Sequence, residues 1–247
     1  MTGRRRGGLD ALARDVAACT RCPRLIAWCR EVARTKRPMH AGETYWGRPV
    51  PGFGDPLADV VLIGLAPGAH GANRTGRMFT GDGTDGGGAS DFLARSLHAA
   101  GFADRDTSQR ADDGQRLRGA FLTAICRCAP PANRPTRDEI EACAPWLHAE
   151  LDLLTRAQVL VCLGRLSFDA TLRVLEARGA VLARPHPRFG HGARCDPGGG
   201  HPLVLGSYHP SRQNTAPGRL TQAMLTGVLT LAREEAAARA SSGASHA

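Results

Sequence analysis

Short apolar runs recur along the chain, and each of them ends at a turn signal. They are rich in Val, Ile and Leu and do not alternate strictly with polar residues, which is typical of parallel strands buried on both faces. The four runs occupy residues 59–64, 120–125, 158–163 and 203–207. This pattern predicts four strands of one buried sheet.

Helical periodicity fills most of the sequence around these strands. It covers residues 89–100, 137–154 and 166–178, with further helices predicted at 9–18 and 219–239. Thr136 is a suitable N-cap, and Glu139 completes a capping box. The alternation of strand and helix predicts an α/β fold with three α/β/α layers around a central four-stranded, mostly parallel sheet. Residues 104–118 and 183–201 follow neither pattern and are predicted to be long surface loops.

The composition is ordinary for a globular protein, with 42% hydrophobic and 22% charged residues among 247. We expect a single domain over residues 9–239. Residues 1–8, which are basic, and residues 240–247 have too little apolar surface to offset the entropy cost of ordering. Both ends are therefore predicted to be disordered tails.

The chain carries 32 Lys and Arg residues against 23 Asp and Glu, a net charge of +9. Such an excess favours an anionic partner such as nucleic acid. Lys36 is the only lysine, however, and a bias toward arginine also arises from genome composition. No apolar stretch approaches the roughly 20 residues of a membrane span, and no signal-peptide core follows the basic N-terminus. We expect a cytoplasmic protein with no membrane partner.

Eight cysteines in a cytosolic protein need an explanation other than disulfides. Cys19 and Cys22 form a C-x2-C pair, and Cys128 and Cys143 flank a proline-rich turn and a helix. A set of four such cysteines binds either zinc or an iron-sulfur cluster, and spacing alone leaves both open. Cys126 competes with Cys128 as a member of the set.

Three polar loops follow the ends of predicted strands. They are GLAPGAHGANRTGRMFTGD at 64–82, RCAPPANRP at 127–135 and YHPSRQNT at 208–215. Because the carboxyl ends of parallel strands lie at the same edge of a sheet, we expect these loops to meet at one site. The backbone amides of a glycine-rich loop suit a phosphate or an oxyanion.

The three loop motifs resemble those of the family 5, or B-type, uracil-DNA glycosylases, and the resemblance extends from about residue 19 to residue 215. It implies a monofunctional DNA-repair hydrolase that removes uracil from double-stranded DNA as a monomer and leaves an abasic site. It also implies that Cys19, Cys22, Cys128 and Cys143 bind a [4Fe-4S] cluster with a structural role. Leu65 stands where the related family 4 enzymes carry a carboxylate.

A base must leave the helical stack and enter a pocket before its glycosidic bond in DNA can be cleaved. Phe79 is predicted to stack on that base, and its alternative role is that of a core aromatic. The residues that the resemblance places around the pocket are Gly64, Ala66, Phe79, Ala124 and His209.

Three side chains are predicted to carry the chemistry. His209 would donate a hydrogen bond to the leaving base, and Asp82 would hold the attacking water and balance the cationic sugar. Asp85, in the same glycine-rich loop, is the alternative carboxylate. Asn133 would orient the water or contact the base, and its alternative role is that of a turn residue.

Contacts with the DNA are predicted from two groups of residues. Phosphate contacts are assigned to Arg74, Arg77 and Arg134, for which a solvated surface charge is the alternative. A polar loop suited to entering the minor groove and filling the space left by the base consists of Ser211, Arg212, Gln213 and Asn214.

Ala124 bears on base specificity. The resemblance to family 4 places an asparagine at this position, where its amide can pair with uracil. A methyl group lacks the buried polar atoms that would reject other bases, so we predict excision of hypoxanthine and xanthine besides uracil. The alternative is that Ala124 packs beneath the loop and Asn133 reads the base.

Two other functions are compatible with the same residues. One is a non-catalytic iron-sulfur module that binds DNA or senses damage, and an abasic-site assay separates it from the glycosylase. The other is a zinc-stabilised hydrolase of small nucleotides, for which release of free base from mononucleotides is the test.

Overall fold

The computed structural model describes residues 2–81 and 88–244. Within these residues, a six-stranded mixed sheet has the strand order β1-β3-β2-β4-β6-β5. The four inner strands are parallel, and the edge strands β1 and β5 are antiparallel to their neighbours. The strands are β1 (Phe53–Gly54), β2 (Val60–Gly64), β3 (Ala120–Ala124), β4 (Val159–Leu163), β5 (Arg194–Cys195) and β6 (Leu203–Ser207).

Helices precede, connect and follow the strands. No helix in the described part of the chain combines the length and apolar character needed to cross a membrane. The helices are α1 (Thr2–Ala17), α2 (Pro23–Thr35), α3 (Ala72–Thr75), α4 (Ala89–Ala99), α5 (Arg137–Leu153), α6 (Arg165–Ala177), α7 (Arg212–Thr215) and α8 (Gln222–Ala244), with short 3-10 turns at Pro38–His40 and Pro131–Asn133.

The helices cover both faces of the sheet. On one face, α8 contacts β2, β4 and β6 and packs against α4. On the other face, α6 contacts the same strands and packs against α5. In β2, Val60 and Leu62 belong to the core under α4 and α8, and Val61 and Ile63 belong to the core under α5 and α6. Successive strand side chains point to opposite faces, so a strand between two cores must be apolar at every position.

The predicted three-layer α/β/α arrangement is confirmed, and the four predicted strands form the centre of the sheet. The sheet is larger than predicted because β1 and β5 extend its edges. Each of these strands has two residues, which is too short for a hydrophobic period to be recognised. The predicted capping box is also present, since Thr136 and Glu139 bond reciprocally at the start of α5.

The helix α2 is absent from the elements predicted above. It begins directly after Cys22 and has a proline at its first position. A proline at that position followed by apolar residues at helical spacing was an available signal. The side chains that α2 buries are Leu25, Ile26, Cys29 and Val32.

Parts of both predicted disordered tails are helical. The helix α1 begins at Thr2 and packs against α5, and α8 continues to Ala244 after packing against α4. Once a helix is anchored by tertiary contacts, further residues extend it without a new nucleation cost.

Candidate active site

The loops that follow β2, β3 and β6 leave the sheet at one edge, as predicted. Gly64 at the end of β2 pairs with Ala124 at the end of β3, and Leu163 at the end of β4 pairs with Ser207 at the end of β6. Since all four strands are parallel and end in register, the loops begin side by side. This edge brings together most of the predicted site.

Phe79 lies over Gly64. A Cβ atom added to Gly64 would stand 2.6 Å from Cζ of the Phe79 ring, so the absence of a side chain at Gly64 makes room for the ring. Phe79 has a φ of 52°, in the left-handed region. That conformation costs about 1–3 kcal/mol in a bulky residue and persists only where the surroundings enforce it. The ring is half-buried against the core, which leaves part of its aromatic surface accessible.

Ala124 and Ala66 lie on different sides of the sheet. Ala124 is buried in the core under α4 and α8, against which Phe79 also packs. Ala66 is half-buried against the core under α5 and α6. Of the predicted pocket residues, the structure therefore groups Gly64, Phe79 and Ala124 most closely.

His209 follows β6 and lies beside the end of β4. A Cβ atom added to Gly164 would stand 3.6 Å from the Cβ of His209. The Asn214 side chain donates from Nδ2 to the His209 carbonyl oxygen at 2.9 Å, and the Tyr208 N–H donates to Nδ1 of His191 at 3.4 Å. Burial lowers the pKa of His191, which favours the neutral ring that this hydrogen bond requires. The backbone is thus held at Tyr208 and at the carbonyl group of His209, while His209 itself is half-exposed.

Asn133 is the last residue of the second 3-10 turn and Arg134 follows it, and both lie on the surface. Ala132 and Asn133 have φ values of 51° and 55°. Asparagine tolerates the left-handed region better than most residues, which supports the turn role of Asn133. Both Asn133 and Arg134 are exposed, so a ligand at this edge can reach them.

Arg74 is buried and fully engaged inside the protein. Its guanidinium pairs with Glu43 and donates from Nη2 to the Gly81 carbonyl oxygen at 2.9 Å, while Nε donates to the His70 carbonyl oxygen at 3.0 Å. The predicted phosphate contact is not supported by this placement, because a phosphate would have to displace internal partners.

Arg77 is also buried, with its side chain 5% exposed. It makes a bidentate ion pair with Asp113 at 2.8 and 2.7 Å. Burial acts to raise the pKa of Asp113, but the hydrogen bonds from Arg77 and from backbone N–H groups hold it well below its usual range. Arg77 therefore has a structural role in this conformation, and its predicted phosphate contact is likewise not supported.

The predicted minor-groove loop is at the surface. Arg212 and Gln213 in α7 are exposed, whereas Ser211 and Asn214 are half-buried. The Ser211 carbonyl oxygen accepts hydrogen bonds from the first turn of this short helix. Asp82 and Asp85, the two candidate carboxylates, lie outside the described residues.

Six of the eight cysteines gather where α2, the loop after β3, and α5 meet. Cys126 lies close to Cys143, and Cys29 lies close to Cys128. The pKa of Cys143 falls to about 7, because the neighbouring Cys126 thiol and the charge and backbone N–H of Arg127 stabilise its thiolate. The pKa of Cys22 is raised by burial and by the nearby Cys143, Glu139 and Cys19. The group consists of Cys19, Cys22, Cys29, Cys126, Cys128 and Cys143.

The donor set of this group matches an iron-sulfur cluster in its chemistry, since thiolates are the usual ligands of such clusters. Among residues 2–81 and 88–244, no group of three or more His, Cys, Asp or Glu side chains is arranged to hold a metal ion. A cluster with one thiolate on each of four irons needs its sulfur atoms farther apart than a single ion does. All four predicted ligands are in the group, but so are Cys126 and Cys29, so the choice of ligands stays a prediction.

A buried ion pair connects the cysteine-bearing loop after β3 to α5. Arg127 donates from Nη2 to Glu150 at 2.6 Å, and both side chains are almost fully buried. Thr123 bonds to both members of the pair. The sequence gives no motif for this pair, because Glu150 lies 23 residues from Arg127 in the chain.

The sequence was also compared with known protein families and with curated relatives. The family model of the Uracil DNA glycosylase superfamily matches residues 51–232, so the chain belongs to that superfamily. Among its relatives, a Type-5 uracil-DNA glycosylase of Thermus thermophilus is 50% identical over 225 residues, which are 91% of this chain and 96% of the relative. A Type-5 uracil-DNA glycosylase of Mycobacterium bovis is 45% identical over 92% of this chain and 82% of the relative. A third Type-5 uracil-DNA glycosylase, from Pyrobaculum aerophilum, is 40% identical over 94% of this chain and 95% of the relative.

Proposed function

We propose that this protein is a monofunctional uracil-DNA glycosylase, which hydrolyses the N-glycosidic bond of uracil in double-stranded DNA and leaves an abasic site. The observation that carries the proposal is the Phe79 ring over Gly64, at the same sheet edge from which His209 emerges. The Type-5 relatives, whose names state the same activity, support it. We further propose that the protein acts as a monomer.

The pocket side of the edge receives the base. A base turned out of the duplex stacks on the accessible part of the Phe79 ring. The ring can lie at this edge because Gly64 has no side chain to displace it. Since Arg77 and Arg74 are held in internal contacts, the segment that carries Phe79 contributes shape and apolar surface to the pocket, and no free cationic side chain from these two residues.

The chemistry is a hydrolysis. The bond between C1′ of the sugar and the base nitrogen breaks, its electron pair leaves with the base, and the oxygen of water forms the new bond to C1′. His209 donates a hydrogen bond where negative charge builds on the base, and Asp82 balances the cationic sugar and holds the water. Asn133 orients the water or contacts the base from its exposed turn. The proton lost from the water passes to the carboxylate or to solvent.

The DNA strand lies along the exposed part of the edge. Arg134 and Arg212 are exposed and contact phosphates, and Gln213 with Ser211 enters the space that the base leaves. Asn214 contributes indirectly, because its side chain holds the His209 carbonyl oxygen. The net charge of +9 adds a general attraction to the phosphate backbone.

The cysteine group is proposed to hold a [4Fe-4S] cluster through Cys19, Cys22, Cys128 and Cys143. When bound, the cluster would crosslink the segment before α2, the loop after β3, and α5. Hydrolysis transfers no electrons, so no redox step is assigned to it. The Arg127–Glu150 pair adds a second connection between that loop and α5.

Base selection is proposed to be permissive. Ala124 offers a methyl group and no amide at the end of β3, so the pocket lacks one set of polar atoms that an incorrect base would leave unpaired. Hypoxanthine and xanthine are therefore proposed as further substrates. In the alternative arrangement Asn133 reads the base, and Ala124 only packs.

An abasic-site assay tests the proposed function. The protein is incubated with duplex DNA that contains one uracil, and alkali then converts each abasic site into a strand break. Uracil-dependent cleavage is expected, and thymine in the same position is the control. If a folded protein binds the duplex without producing breaks, the non-catalytic DNA-binding module becomes the better description. Release of base from mononucleotides alone would instead indicate a nucleotide hydrolase.

A further inference from the structure

Residues 104–118 form a long loop that packs against the segment carrying Phe79. Ser108 in this loop is 2% exposed. Its Oγ donates to the Phe79 carbonyl oxygen at 2.9 Å and lies 3.2 Å from Oγ1 of Thr80. Its own carbonyl oxygen accepts the N–H of Gly81 at 2.8 Å. One serine thus contacts three consecutive residues of the Phe79 segment.

The ion pair between Arg77 and Asp113 is part of the same network. Arg77 donates from Nη2 to Oγ of Ser108 at 3.0 Å and from Nε to Oγ1 of Thr80 at 2.8 Å. Asp113, further along the same loop, holds the guanidinium in place and also accepts backbone N–H groups of its own loop at 2.9 to 3.2 Å. These contacts fix the peptide groups on the carboxyl side of Phe79.

Fixed peptide groups are what a left-handed Phe79 requires. The residue has a positive φ, and in this conformation of the segment its ring occupies the space above Gly64. A free loop would relax toward common backbone angles and withdraw the ring. Binding of DNA would then have to order the ring as well as extract the base.

We infer that Ser108, Arg77 and Asp113 are positioning residues, which hold the Phe79 ring over Gly64 in advance so that it stacks on an extrahelical base. This inference rests on the proposed function, because it takes base stacking as the task of Phe79. Such preorganisation raises the rate of the reaction in the complex more than it raises affinity for DNA.

A double-mutant cycle on the full-length protein tests this inference. Ser108→Ala should lower the single-turnover rate of uracil excision about tenfold, as expected for a misplaced reacting geometry, with binding to uracil-free duplex unchanged. Ser108→Thr, which keeps the hydroxyl, should recover most of the rate. In the Phe79→Ala background, Ser108→Ala should have little further effect, because the two residues act through one ring.

The matched control is Ser96→Ala. Ser96 is a buried serine that bonds to Gln222 between α4 and α8, away from the Phe79 segment. Its loss should leave the excision rate unchanged at a comparable cost in thermal stability. If Ser108→Ala does not fold, Asp113→Asn enters the same cycle.

Each outcome of the cycle separates the two proposals. Independent, multiplicative losses from Ser108→Ala and Phe79→Ala, or an unchanged rate in Ser108→Ala, would overturn the positioning role while uracil excision stands. An active wild type whose Phe79→Ala variant is equally fast would reject stacking by Phe79 and the positioning role with it. A folded wild type that releases no uracil would reject the proposed function itself.

Discussion

The two sides of the candidate site are built differently. On the Phe79 side, the segment up to Gly81 is held by buried polar contacts from Arg74, Arg77 and Ser108. On the His209 side, α7 and the second 3-10 turn are short and largely exposed, although the His209 backbone itself is anchored. We call the Phe79 side the wall and the His209 side, with α7 and the second 3-10 turn, the rim. A rigid wall next to an accessible rim suits a site where one base must be placed accurately while a long DNA strand lies alongside.

The arginines follow the same division. Arg74 and Arg77 occupy a motif that suggests phosphate binding, but they face carboxylates and carbonyls inside the protein. Arg134 and Arg212 lie on the rim. The same residue type therefore stabilises the wall at two positions and is available to DNA at two others.

The largest effect is expected on the wall. Arg77→Gln removes the guanidinium from a buried ion pair and leaves the Asp113 carboxylate without its charged partner. This change should lower the free energy of unfolding by about 3–5 kcal/mol. Denaturant unfolding followed by circular dichroism measures it. A loss of less than about 1 kcal/mol would show that the wall is not held by this pair.

His209→Ala is expected to act on chemistry rather than on stability. Removal of a donor to the leaving base should lower the single-turnover excision rate by about 10² or more, with DNA affinity largely kept. His98→Ala, on the exposed face of α4, is the control. If affinity falls while the single-turnover rate is unchanged, His209 is a binding residue.

The cysteine group offers a comparison between neighbours. Cys128→Ser should lower iron content and melting temperature together, because cluster binding is coupled to folding. Cys126→Ser should keep the iron. Iron and sulfide analysis with visible absorption follows both variants. If instead Cys126→Ser loses the iron and Cys128→Ser keeps it, Cys126 is the ligand and Cys128 is not. A colourless wild-type protein with stoichiometric zinc would reject the iron-sulfur cluster.

The set of bases that the protein excises tests whether the wall selects the base by hydrogen bonding. Wild-type protein should excise uracil and hypoxanthine from matched duplexes and leave thymine, and Ala124→Asn should narrow this range toward uracil. Single-turnover rates on the three duplexes give the comparison. Activity confined to uracil in the wild type would contradict a permissive pocket.

The smallest effect is expected on the rim. Arg212→Gln should weaken DNA binding a few-fold and reduce the slope of log K against log salt by about 1, without changing stability. Fluorescence anisotropy at several salt concentrations measures this. The contrast with Arg77→Gln is the direct test of the division between wall and rim.

Much of the fold was predictable because its elements have strong local patterns. The run Val159–Leu163 is buried on both faces and is apolar throughout, so its hydrophobicity identifies it. Thr136 and Glu139 mark the start of α5 with a motif whose contacts are local. By contrast, β1 and β5 have two residues each, and they exist only because a longer strand offers them an edge.

The candidate site was predictable to the extent that topology decides it. Loops after parallel strands meet at one edge, and Gly64, Phe79, Ala124 and His209 do so here. The roles of Arg74 and Arg77 were not predictable, because their partners Glu43 and Asp113 are 31 and 36 residues away in the chain.

The sequence by itself determined the order of the four central strands and of the longer helices other than α2, the edge at which the polar loops meet, and the thiol-rich character of one region. Those properties depend on hydrophobic periodicity, short-range capping and residue chemistry, all of which are local. Only the tertiary structure decided that Arg77 faces inward, that residues 104–118 hold the Phe79 segment, and that Cys29 and Cys126 join the cysteine group. Each of these depends on which distant groups are buried together, since a buried charge or polar atom must find its partner wherever folding places one.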